Sequence, residues 1–78
     1  MKVGTNDRSL AVSCAERLRK ANVMAEVICL SHAWKLGRAA YGVAVNGKVV
    51  DLDAAFRGVA TPVPQNVIDE QMTALVRL

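Results

Sequence analysis

Ala40-Tyr41-Gly42-Val43-Ala44-Val45-Asn46-Gly47-Lys48-Val49-Val50-Asp51-Leu52 is the stretch on which the fold turns. Two Val-rich runs flank Asn-Gly. Both central residues of a type I′ turn need positive φ, and Asn-Gly meets that need at low steric cost. A two-residue turn fixes the register. Val45 then pairs with Lys48, Val43 with Val50, Gly42 with Asp51 and Tyr41 with Leu52. Paired residues share a face. Tyr41, Val43, Val50 and Leu52 therefore make one apolar face, expected to pack on helices. Gly42, Ala44, Val49 and Asp51 make the other, which carries little bulk and one charge.

Before the hairpin, residues 23–30 read Val-Met-Ala-Glu-Val-Ile-Cys-Leu. Only Glu26 interrupts the apolar run, which predicts a central strand covered on both faces. Residues 5–22 read as a helix. Leu10, Ala11, Cys14, Leu18 and Ala21 form its apolar stripe. Thr5, Asn6 or Asp7 can cap its start, and Asn22 can end it. Arg17, Arg19 and Lys20 stand near its C-terminus, where the helix dipole favours cations.

After the hairpin, Asp53 can cap a short turn over residues 54–57, stopped by Gly58. Pro64 suits the first position of a last helix, whose apolar side carries Val67, Ile68, Met72, Leu75 and Val76. The order is helix, strand, hairpin, helix. It predicts an α+β fold, a three-stranded, mostly antiparallel sheet packed against two helices, with residues 1–78 as one domain. Residues 31–38 fit a loop or a helical turn equally.

Composition narrows the function classes. Hydrophobic residues make up 53% of 78, but 12 of them are Ala and 12 are Val. So short a chain buries only roughly 60% of its unfolded surface. Some apolar surface is expected to meet a partner. No apolar leader follows Met1, and no run approaches the roughly 20 residues of a membrane span, which points to the cytoplasm. Two cysteines and one histidine make neither a disulfide framework nor a zinc pattern, and no cofactor is expected.

The formal net charge is +3, and residues 1–40 carry seven Lys/Arg against three Asp/Glu. Four or five clustered cations would hold nucleic acid only weakly. With no interleaved aromatic platform, nucleic acid is an unfavoured partner.

One order of residues is suggestive of chemistry. Cys14 stands on a helix, a strand follows, then His32-Ala33-Trp34, and Asp51 closes the hairpin. This order resembles the core of the transglutaminase-like and papain-like cysteine enzymes over about residues 10–53. The resemblance implies an acyltransferase or peptidase in which a Cys14 thiolate attacks a carbonyl, His32 shuttles the proton and Asp51 orients the imidazole.

Read from the residues alone, Cys14 lies on the apolar stripe of its helix, and no catalytic constellation is needed. The leading expectation is a small non-enzymatic interaction protein. It would be an inhibitor or adaptor, of the kind phages direct at host proteins, binding a protein partner or pairing with itself as a homodimer. Arg17, Lys20, Trp34, Lys35 and Arg38 form one candidate contact group. Gly42, Ala44 and Val49, on the reverse sheet face, form the other.

Overall fold

The structure, a computed structural model, describes residues 1–31 and 40–77. In chain order it places α1 (Arg8–Lys20), β1 (Ala25–Ser31), β2 (Ala40–Val45), β3 (Lys48–Val49), α2 (Leu52–Phe56) and α3 (Gln65–Arg77). The three strands form one antiparallel sheet in the order β1-β2-β3. This is the small α+β fold expected. The radius of gyration is 11.7 Å, close to the roughly 11.5 Å of a folded globule of this length.

The hairpin turn forms as its residues dictate. Asn46 and Gly47 take φ of 54° and 76°. Val45 pairs with Lys48 and Ala44 with Val49. The Val50 N–H donates to the Val43 carbonyl at 3.0 Å. Beyond Val50 the expected pairs of Gly42 with Asp51 and Tyr41 with Leu52 do not form. Tyr41 exchanges two backbone hydrogen bonds with Thr5 instead, at 2.8 and 2.9 Å. On the outer edge of β3, the Asp51 N–H donates to the Thr61 carbonyl and the Val63 N–H to the Val49 carbonyl. The Thr61–Val63 segment thus covers an edge that would otherwise be open to another chain.

The central strand is β2, not β1 as expected. The reason is bulk. Ala40, Gly42, Val43 and Ala44 are small enough to be buried in the middle of the sheet. Glu26 and Cys29 of β1 are exposed, and Met24 just before it is 87% exposed. An apolar run with exposed members belongs at an edge.

α1 begins three residues later than expected because Thr5 is held by Tyr41. Asp7 caps the helix, accepting from the Ser9 N–H at 2.9 Å. Its apolar stripe buries Ala11, Cys14, Ala15 and Leu18. Cys14, Ala15 and Leu18 join Ala25, Val43, Val50, Leu52 and Ala55 in the core. The α1 C-terminus closes with the Val23 N–H on the Leu18 carbonyl and the Asn22 N–H on the Arg19 carbonyl. Asn22 takes φ of 64° there. This is a Schellman closure, which a left-handed Asn tolerates.

α3 starts at Gln65, and the Pro64 carbonyl accepts from the Val67 and Ile68 N–H groups. Pro64 therefore stands just before the helix rather than at its first position. Gln71 holds the chain's N-terminus to α3. Its Oε1 accepts from the Val3 N–H at 2.9 Å, and its Nε2 donates to the Met1 carbonyl.

Candidate functional site

α2 decides the site, and Asp51 decides α2. Asp51, not Asp53, is its N-cap, and its side chain accepts from the Asp53 N–H. The same carboxylate accepts from the Lys2 N–H at 2.7 Å. Asp51 is 8% exposed. One buried carboxylate thus starts α2 and holds the first residues of the chain against it. Asp51 is consumed by these bonds and does not face solvent from the sheet. The cap moves α2 two residues toward the N-terminus and ends it at Phe56.

Phe56 is the result. It remains 42% exposed, and the Arg17 guanidinium carbon lies 3.9 Å from its ring centroid. Such a cation–π contact is worth about 0.5–1 kcal/mol at an exposed site. Among the described residues, three cavities share the ring. One of about 320 Å3 is lined by Lys2, Leu10, Cys14, Leu52, Asp53, Phe56 and Arg57. A second, of about 330 Å3, runs past Arg17, Lys20, Ala21, Arg57 and Gly58. The third opens between Ser13, Glu16, Arg17 and Lys20. Four cations, Lys2, Arg17, Lys20 and Arg57, therefore surround one exposed aromatic ring, with Glu16 and Asp53 as the acids on the lining.

Of the predicted contact group, Arg17 and Lys20 line this surface. Trp34, Lys35 and Arg38 lie outside the described residues. Arg19, their neighbour in sequence, points elsewhere. Its Nε donates to the Ala25 carbonyl at 2.9 Å, tying α1 to the start of β1. The second predicted group is not an open face. Gly42 is buried and Ala44 is 5% exposed within the single chain. A Cβ at Gly42 would lie 2.7 Å from Leu30 Cδ1 and 3.1 Å from the Val3 carbonyl oxygen. At Gly42 the N-terminal segment and Leu30 fill the space next to the sheet. Val49 stays half-buried.

Cys14 is mid-helix and 1% exposed. Its thiol donates to the Leu52 carbonyl at 3.5 Å. Burial pushes its pKa up; Arg17 opposes this, Asp53 adds to it, and Lys2 opposes it. A thiol held neutral in a core is a weak nucleophile. His32 lies outside the described residues. Among the described residues, no group of three His, Cys, Asp or Glu side chains is placed to hold a metal ion, and no helix is long and apolar enough to cross a membrane.

Sequence reasoning missed Phe56, Arg57 and Lys2. In the sequence Phe56 is only one member of a short turn, and in the structure it is the last residue of α2 and stays exposed. Lys2 reaches the site because Asp51 binds its backbone, a contact across 49 positions of sequence. The chain matches no family model, no curated protein and no solved structure.

Proposed function

We propose that this chain is a non-enzymatic interaction protein that docks an acidic surface of a protein partner on the Phe56 ring and its surrounding cations. The observation that carries this reading is the Phe56 ring, 42% exposed and stacked by Arg17. Aromatic residues and Arg are the side chains that anchor interfaces, and a cationic rim steers an acidic partner to them. The buried, neutral thiol of Cys14 supports the binding reading over the cysteine-enzyme one. An inhibitor or adaptor, including one that a phage directs at a host protein, acts in this way by occupying a surface. Self-association through the reverse sheet face has less support, since Gly42 and Ala44 are buried within the chain.

The test is a calorimetric titration of the protein with an acidic peptide, comparing wild type with Phe56→Ala and with Lys20→Glu/Arg57→Glu. Both variants should keep their folded circular dichroism. Each should bind at least about tenfold more weakly, the loss expected of an anchor residue or of paired rim charges. Unchanged affinity in both variants would remove this surface from the account. Tighter, steeply salt-dependent retention on a DNA column than on the acidic peptide would favour a nucleic-acid partner instead.

A further inference from the structure

The cavity on the Cys14 side of the Phe56 ring differs from the other two. Its deep residues are Cys14 and Leu52, both almost fully buried, with half-buried Leu10 and the edge of Phe56 as walls. The Cys14 thiol already donates to the Leu52 carbonyl. Among the described residues no buried side-chain nitrogen or oxygen lacks a hydrogen-bond partner. No buried side-chain nitrogen or oxygen among the described residues therefore asks for a polar occupant in the slot. Exposed Lys2, Asp53 and Arg57 stand at the mouth. Its volume, about 320 Å3, is at the small end of the range for ligand pockets.

We infer that this slot seats one leucine-like aliphatic side chain of an acidic protein segment, with flanking carboxylates of the segment on Lys2 and Arg57. The inference rests on the proposed docking of an acidic partner and states what that partner must carry. The division of labour follows from the chemistry. The slot removes apolar surface from water and supplies affinity. The two cations select acidic neighbours on either side of the anchor. Asp53 opposes them at the same mouth and narrows the choice to segments whose carboxylates fall on the cations rather than beside it.

Three capped seven-residue peptides test this. The first is Asp-Glu-Asp-Leu-Asp-Glu-Asp. The second has Ala in place of Leu. The third keeps Leu but has Asn and Gln in place of every acid. The first should bind at least about tenfold more tightly than the second, the difference expected for burying a leucine side chain. Its leucine methyls should give intermolecular nuclear Overhauser effects to Leu10, Leu52 and Phe56. Equal affinity of the Leu and Ala acidic peptides, or methyl contacts confined to other residues, overturns the slot and leaves the acidic docking intact. Equal affinity of the acidic and neutral Leu peptides overturns the acidic docking. Failure of both acidic peptides to bind overturns both. Tighter binding of free hexanoate than of the first peptide assigns the slot to a small amphipathic acid, against this inference.

Discussion

Cys14 shows how one residue type can point to two chemistries until its surroundings are known. Order along the chain placed it as a nucleophile, while helical spacing placed it on a core stripe. The stripe packs α1 on Val43, Val50 and Leu52 and leaves Cys14 1% exposed, at the floor of the cavity beside Phe56. Its raised pKa has a consequence for stability. The ordinary thiol value is 9.0. In the folded chain the thiolate forms only at higher pH, so the unfolded chain loses this proton first. The stability contributed by the neutral thiol is intact below pH 9.0 and falls as pH rises from there toward the folded value. Urea midpoints measured from pH 7 to 10.5 in a Cys29→Ser background check this. The Cys14 protein should lose stability on the alkaline side more steeply than the same protein carrying Cys14→Ala. Parallel pH curves would show that Cys14 ionises alike in both states. Asp51 taught the opposite lesson. Its cap bond to the Asp53 N–H is local, but its bond to the Lys2 N–H crosses 49 positions, and no local pattern encodes a contact that distant.

At the scale of elements, turn chemistry was the most legible part of the chain. Asn46-Gly47, Asn22 and Gly58 all take the positive φ that their positions imply. Two helices end in the same way. α2 closes with the Val59 N–H on the Ala54 carbonyl and the Gly58 N–H on the Ala55 carbonyl, matching the closure of α1. This closure stops α2 after a single turn, with Gly58 facing the last turn of α1, and so leaves Phe56 and Arg57 beside Arg17 and Lys20. Gly58 has φ of 81°, and a Cβ there would meet Arg17 O and Ala21 Cβ only at 3.9 and 4.0 Å. Space is therefore adequate and backbone strain alone sets the cost. Gly58→Ala should destabilise by about 1–2 kcal/mol, and Gly58→Asn by less, since Asn tolerates this region. Thermal midpoints of the two variants decide it. An Ala variant as stable as wild type would mean that the closure contributes nothing. What was not legible was strand order. β1 has the apolar run of a buried strand, yet β2 takes the centre, where Ala40, Gly42, Val43 and Ala44 are buried.

For the whole molecule, the short chain and its high apolar content raised the question of where surplus apolar surface goes. Much of it goes inward. The segments before α1 and after α2 pair with the sheet's strands, and the reverse face holds Gly42 and Ala44 out of solvent. Among the described residues Met1, Met24, Phe56 and Val59 stay exposed, and Phe56 is the ring stacked by Arg17; its environment was the least legible feature of all. It needs the cap at Asp51, the closure at Gly58 and the packing of α1 together. This ring is the proposed centre of partner binding. The most direct measurement is an amide and side-chain NMR titration of the labelled protein with the acidic leucine peptide at low and moderate salt. The proposed docking predicts shifts centred on Phe56, Lys2, Leu10 and Arg57, with affinity falling as salt rises. Shifts centred on the reverse sheet face or on α3, with the Phe56 resonances unmoved, would contradict it.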